Sequence, residues 1–198
     1  MNSKLLLGIG AVVAVGLLIV GGLTLSNPLA EEPAPNGGGT NTEEKDLTTY
    51  NSAELGLSFD HPASYRLESH EDGTGERLWT TLDLVELRVL DEYEQNGAME
   101  GPPAITVQVF DNTEGLELEE WIKTTSYSNF KLAPDDTLLS GEVAGEPALA
   151  YMHSGLYENN AVAVAHEGKI YLFTVGWLTP EDRNLDVFGD LLDSVRFN

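Results

Sequence analysis

The chain has 198 residues, no cysteine and a formal net charge of −23. The absence of thiols excludes disulfides, thiolate metal sites and cysteine nucleophiles, so any folded domain is stabilised by packing. The few Lys and Arg residues are scattered singly among acids, which disfavours nucleic-acid binding because that function needs clustered positive charge.

Residues 5–25 form an uncharged apolar run, LLLGIGAVVAVGLLIVGGLTL. As a helix rising about 1.5 Å per residue it would span about 31 Å, which matches a bilayer core of about 30 Å. The run is longer than the apolar core of a cleaved signal peptide, and Pro28 stands where a cleavage site needs a small residue. The sequence therefore predicts one uncleaved transmembrane signal anchor, with a cleaved signal peptide as the alternative.

Charges on either side of this run predict its orientation. Lys4 and the terminal amine precede it, whereas Glu31 and Glu32 follow it. Cytoplasmic flanks favour Lys and Arg, so we expect residues 1–4 in the cytoplasm and residues 26–198 outside it. A monomer is expected, because small residues are common in any span and their presence alone does not indicate a dimer.

Residues 26–46, SNPLAEEPAPNGGGTNTEEKD, combine proline, a glycine triplet and acids with few apolar side chains. Such a segment cannot bury enough surface to order itself, so it is predicted to be a disordered acidic linker. Residues 47–198 remain as an extracytoplasmic globular domain, long enough to bury a sizeable core.

Segments with alternating apolar residues follow the linker. Residues 57–59 and 65–67 are predicted to be short strands, and residues 104–110, AITVQVF, a longer one. Residues 82–90 change phase at Val85 and fit either a bulged strand or a helix, so both interpretations stay open.

The C-terminal half mixes helix and strand. Residues 117–128 repeat apolar side chains at spacings of three and four, which predicts a helix. Residues 147–153 are predicted to be a strand, and residues 161–165 and 169–175 to form a tight hairpin. Because both hairpin strands are apolar on both faces, we expect them at the centre of the sheet.

The last helix has start signals of its own. Thr179 is predicted to be its N-cap, with Pro180 in the first turn and Asp182 favourably placed near the positive end of the helix dipole. Its apolar stripe is predicted to consist of Leu185, Phe188, Leu191, Leu192 and Val195. The whole pattern predicts an α+β domain with a mostly antiparallel central sheet flanked by helices.

Two segments carry a family resemblance. Residues 50–65, YNSAELGLSFDHPASY, and residues 191–197, LLDSVRF, resemble the opening and the close of PsbP-like domains of the Mog1/PsbP fold. The resemblance covers about residues 48–198. It implies an α/β/α sandwich used mainly as a binding or accessory module rather than as an enzyme. No functional residue of that family can be matched position by position.

Histidines and acids offer no clear catalytic or metal-binding pattern. None of His61, His70, His153 and His166 has a second histidine three or four residues away, so all four are expected to be ordinary surface or turn residues. Residues 111–115 faintly resemble a calcium loop but lack the alternating acids and the distant glutamate of an EF-hand. We therefore predict no cofactor and no catalytic residue.

One turn combines polar and glycine residues with large apolar side chains. It contains Leu156, Tyr157 and Asn159, and its composition is typical of an exposed loop. These three residues are predicted to form a partner-binding loop.

The leading functional hypothesis is a membrane-anchored, extracytoplasmic, non-enzymatic accessory domain that binds an envelope or extracellular protein. The acidity leaves a second hypothesis open, a calcium-binding envelope protein using Asp and Glu oxygens, although a surface kept soluble by its charge is the preferred explanation of the acidity. A third is a cell-surface hydrolase with an unrecognised carboxylate pair.

Overall fold

The structure is a computed structural model that describes residues 46–75, 77–96 and 100–198. The predicted anchor at residues 5–25, and all but the last residue of the predicted linker, lie outside this part of the chain. Within it, no helix is both long and apolar enough to cross a bilayer.

The described residues form ten strands and three α-helices. In chain order they are β1 (Leu47–Ser52), β2 (Leu57–Pro62), β3 (Tyr65–Thr74), β4 (Arg77–Glu86), α1 (Leu87–Gln95), β5 (Ile105–Asp111), α2 (Leu118–Thr124), a 3-10 helix (Phe130–Leu132), β6 (Leu139–Val143), β7 (Glu146–Ser154), β8 (Glu158–His166), β9 (Lys169–Trp177), α3 (Arg183–Ser194) and β10 (Arg196–Phe197).

Seven strands form one antiparallel sheet in the order β3-β4-β5-β9-β8-β7-β6. The predicted hairpin of β8 and β9 lies near its centre, as expected from strands that are apolar on both faces. Strands β1, β2 and β10 form a separate antiparallel sheet. The expectation of a single sheet was therefore incomplete, because the residues predicted to open it belong to the smaller one.

Each face of the large sheet has its own core. On one face, α3 packs against β9 and against β2 of the small sheet, and the fully buried side chains there include Leu57, Phe59 and Phe173. On the other face, α2 and the 3-10 helix enclose a second cluster around Ile122 and Leu172. The fold is thus a mostly antiparallel sheet with helices on both sides.

Three element predictions need correction, the first being the helix at residues 117–128, because α2 ends at Thr124. The ambiguous segment 82–90 is neither one strand nor one helix, because β4 ends at Glu86 and α1 begins at Leu87. The N-cap of α3 is Asp182 and not Thr179: the Asp182 carboxylate accepts a hydrogen bond from the backbone N–H of Asn184 at 3.0 Å.

The later start of α3 changes its buried face. The most buried residues of the helix are Asn184, Val187, Phe188 and Leu191, whereas Leu185 and Leu192 of the predicted stripe are only partly buried. A polar residue thus occupies one end of the apolar stripe.

Candidate functional site

One end of the large sheet brings together the segments that hold the predicted binding loop. Because the strands are antiparallel, β7 and β9 end where β5 and β8 begin. We call this end the apex and define it as residues 100–104, 155–158 and 178–184.

The β7–β8 turn of the apex is closely hydrogen-bonded. The backbone N–H of Gly155 donates to the carbonyl of Tyr157 at 2.9 Å, and the Ser154 hydroxyl donates to the Glu158 carboxylate at 2.7 Å. Leu156 lies between these contacts and is 62% exposed. The turn therefore presents an apolar side chain on a fixed backbone.

The other two residues of the predicted loop support the turn instead of projecting from it. Tyr157 is half-buried, and its hydroxyl donates to the carbonyl of Gly101 at 2.6 Å. Burial, together with interactions with Tyr93, raises the pKa of Tyr157 to about 12. The Asn159 amide donates to the Tyr157 carbonyl at 2.7 Å. Of the three predicted residues, Leu156 is thus the one displayed to solvent.

Asn184 joins the remaining apex segments. Its side-chain oxygen accepts a hydrogen bond from the Tyr65 hydroxyl at 2.7 Å, and its amide donates to the carbonyls of Pro103 and Gly176 at 3.3 and 3.4 Å. Desolvation, with a smaller contribution from the Glu86 carboxylate, raises the pKa of Tyr65 to about 12. The hydroxyl is therefore a permanent donor at neutral pH.

A small cavity of about 210 Å³ opens beside Asn184. Glu86 lines it with only 11% of its side chain exposed, and its carboxylate lies 3.0 Å from Arg183 Nη1 and 3.6 Å from Arg88 Nη2. Two guanidinium groups thus contact this one carboxylate. A general base needs a carboxylate that is free to accept a proton from the substrate, and this one is already paired. The lining residues are Glu86, Arg88, Val89, Tyr93, Pro103, Leu178, Asp182, Arg183 and Asn184.

Leu178 is the second apolar side chain displayed at the apex, with 60% of it exposed. It follows Trp177, which pairs with Glu158 across β8 and β9, so Leu178 and Leu156 lie just beyond neighbouring strand ends. The Leu178 N–H donates to the Asp182 carboxylate at 3.3 Å. This second turn is therefore also fixed by hydrogen bonding.

The histidines do not all lie where they were expected. His61 and His153 are buried within strands, contrary to the expectation of surface or turn residues, whereas His70 is exposed. Burial lowers the pKa of His153, opposed in part by Glu158, and its Nδ1 has no hydrogen-bond partner among the described residues. In the same part of the chain no group of three or more His, Asp or Glu residues is arranged to hold a metal ion.

The segment that faintly resembled a calcium loop has a structural explanation. The side-chain oxygen of Asn112 accepts from the backbone N–H of Leu116 at 3.0 Å, and its amide donates to the carbonyl of the same residue at 2.9 Å. Asp111 pairs with Lys169 at 2.9 Å. The Asn112 contacts close a turn. Together with the ion pair they engage one side-chain oxygen each of Asn112 and Asp111, which leaves fewer oxygens for a cation.

Sequence reasoning missed Asn184, the pair of arginines on Glu86, and Leu178. An asparagine on the apolar face of a helix is a detectable signal, because a buried amide needs hydrogen-bond partners. Predicting Thr179 instead of Asp182 as the N-cap placed the start of the helix three residues too early, and this concealed the signal from Asn184.

Comparison with family models gave no match, and comparison with curated proteins gave no significant one. Among solved structures, the chain is similar to the solution structure of cyanobacterial PsbP (CyanoP) from Synechocystis sp. PCC 6803. The TM-score is 0.50 and the sequence identity 13%, and the match covers 84% of this chain and 100% of that one. The domain has the PsbP-like fold.

A crystal structure from Bacteroides thetaiotaomicron VPI-5482 matches with a TM-score of 0.45 and 8% identity, over 76% of this chain and 48% of that one. This second likeness is too distant to support an argument. The match to PsbP confirms the fold implied by the two sequence segments. It shows the PsbP-like fold alone, since function depends on sites that a shared fold does not specify.

Proposed function

We propose that this chain is a membrane-anchored, extracytoplasmic accessory domain that binds an envelope or extracellular protein through its apex and catalyses no reaction. The observation that carries the proposal is the exposure of Leu156 and Leu178 on two hydrogen-bonded turns at neighbouring strand ends. Large apolar side chains on a preorganised backbone bind a partner with little ordering cost.

Charge around the apex indicates the kind of partner. Acids on α1, on the apex itself and at the start of β8 are exposed and outnumber Arg88 and Arg183, which both contact Glu86. An acidic rim around apolar contacts favours a protein with complementary basic residues, because such charges speed association and select partners. The exposed acids are Asp91, Glu92, Glu94, Glu100, Glu158 and Glu181.

The chemistry of the apex supports binding over catalysis. The Glu86 carboxylate beside the apex is paired with Arg88 and Arg183, and the Asp182 carboxylate of the apex accepts hydrogen bonds from the backbone N–H groups of Leu178 and Asn184. Tyr157 keeps its proton at neutral pH because its pKa is raised. Each of these groups therefore has a structural role in holding the apex in shape.

Photo-crosslinking tests the proposal in the native envelope. A photoreactive amino acid would replace Leu156 or Leu178 in the full chain, with Leu132 as a matched control because it is 52% exposed outside the apex. We expect one discrete protein adduct, shared by positions 156 and 178 and missing at position 132. Adducts of equal yield at all three positions, or none at the apex positions, would contradict the proposal.

A further inference from the structure

The face of the large sheet that carries α3 is not covered over its whole width. Directly paired residues of antiparallel strands lie on the same face. The row Leu139, Ala150, Val162 and Phe173 runs across β6, β7, β8 and β9. Leu139 is 61% exposed, the next two residues are half-buried, and Phe173 is fully buried. Burial therefore decreases steadily with distance from β9.

The neighbouring row shows the same gradient. Met152 pairs with Asn160, which pairs with Val175. Met152 is 47% exposed, Asn160 is half-buried and Val175 is fully buried. Because α3 packs on β9, and Val143 and Ala148 are buried on the same face, the described residues leave this face open over the start of β6, the end of β7 and the start of β8. We call this surface the open face and define it as Leu139, Ala150, Met152, Asn160, Val162 and Trp177.

The open face is mostly apolar, and the oxygen of its one amide already accepts a hydrogen bond. The indole N–H of Trp177 donates to the side-chain oxygen of Asn160 at 3.3 Å. Strands in a sheet lie about 4.8 Å apart, so β6, β7 and β8 together span about 10 Å, which is the diameter of one helix. The uncovered width beside α3 therefore fits a single additional helix.

Charge decides what kind of helix fits. Residues 133–168 contain no Lys or Arg and include six acids, and α3 adds exposed Asp186 and Asp193. A second copy of a chain with a net charge of −23 would bring like charges together at this surface. A helix with an apolar face and Lys or Arg on its flanks would instead bring complementary charge to this acidic part of the chain.

We propose that the open face binds an amphipathic, basic helix of a protein partner, which lies beside α3 and completes the helical layer on this face. The inference rests on the proposed function, because Ser154 and Glu158 join the open face to the apex in one continuous surface. It adds the chemistry of the partner segment to that function. Docking an amphipathic helix by its apolar face is a recurring mode of peptide recognition.

The test uses the full chain in its native envelope, with a photoreactive amino acid in place of Met152 and, as the control, in place of Leu132. The residue crosslinked to position 152 would be identified by mass spectrometry. We expect the crosslinked residue to lie in a partner segment with apolar residues at spacings of three and four and with flanking Lys or Arg. No such crosslink should form at position 132. Crosslinks to residues 1–45 of the same chain, to a second copy, to lipid or to nothing would overturn the inference.

A synthetic peptide with the captured sequence then supplies an affinity measurement. Met152→Lys and Leu139→Lys change exposed residues, so the full chain should stay folded while its affinity for the peptide falls by at least about tenfold. Leu132→Lys should leave the affinity unchanged. Equal affinities for all variants would overturn the inference.

The crosslinking results distinguish the failure of this inference from the failure of the proposed function. A protein adduct at position 156 without one at position 152 would support the apex proposal and overturn this one. Adducts at neither position would overturn both.

Discussion

Replacing Asn184 with alanine removes the side chain that joins β3, residues 100–104 and the end of β9 at the apex. The strongest of its hydrogen bonds, at 2.7 Å, is donated by the Tyr65 hydroxyl, which lies on a residue only 3% exposed. Without Asn184, that buried donor has no partner and contributes a desolvation cost of about 1–3 kcal/mol. The two longer bonds to Pro103 and Gly176 add about 0.5 kcal/mol each. We therefore expect a loss of about 2–4 kcal/mol in the free energy of unfolding.

A double-mutant cycle separates this hydrogen bond from general packing. Tyr65→Phe alone should cost about 1–2 kcal/mol, because it leaves the Asn184 oxygen without its donor. Combining Tyr65→Phe with Asn184→Ala removes both ends of the bond. The double variant should therefore be more stable than the sum of the single effects implies, by about 1 kcal/mol.

Urea denaturation of a fragment comprising residues 47–198 measures all three variants. Tyr50→Phe is the matched control, because the Tyr50 hydroxyl makes no hydrogen bond among the described residues, and it should change stability by less than about 0.5 kcal/mol. Strictly additive effects of the two substitutions, or an Asn184→Ala cost equal to that of the control, would refute the role assigned to this residue.

Three further predictions follow from packing, burial and the linker. Phe188→Ala should cost about 3–5 kcal/mol in the free energy of unfolding, because it opens a cavity beneath α3. Leu156→Ala should change the free energy of unfolding by less than about 0.5 kcal/mol, because Leu156 is exposed. Equal costs in urea titrations would show that the β7–β8 turn belongs to the core. Because burial lowers the pKa of His153, the unfolded chain binds this proton more readily than the folded one. Stability should therefore fall as pH drops below about 6.5, by up to about 1.4 kcal/mol per pH unit from this group, and melting curves of His153→Phe should show a flatter dependence. Protease added to intact spheroplasts should cut within residues 33–45 and release the domain; protection until the membrane is lysed would reverse the predicted orientation.

Local patterns in the sequence were sufficient for most strands. The β8–β9 hairpin followed from two apolar runs separated by Glu167 and Gly168, and both residues have the positive φ angles, 44° and 77°, that a two-residue turn of this kind requires. The PsbP-like fold followed from the segments at residues 50–65 and 191–197. Signals confined to a few neighbouring residues are thus readable from one sequence.

The apex could not be predicted in the same way, because its contacts join distant parts of the chain. Arg183 and Glu86 are separated by 97 positions, and Tyr65 and Asn184 by 119. The start of α3 was misplaced because Thr179 and Asp182 are both good N-caps, and only the hydrogen bond from Asn184 to Asp182 distinguishes them. The exposure of Leu156 could be predicted from the composition of its loop, whereas the exposure of Leu178 depends on where α3 begins.

Hydrogen–deuterium exchange tests the central claim, binding through the apex, most directly. Backbone exchange of the full chain would be compared between native envelope membranes and the purified protein. Partner binding at the apex predicts slower exchange at residues 155–158 and 178–182 in the native membrane, with the loop at residues 133–138 unchanged as an internal control. Identical exchange in both preparations, or protection confined to residues outside the apex, would contradict the account.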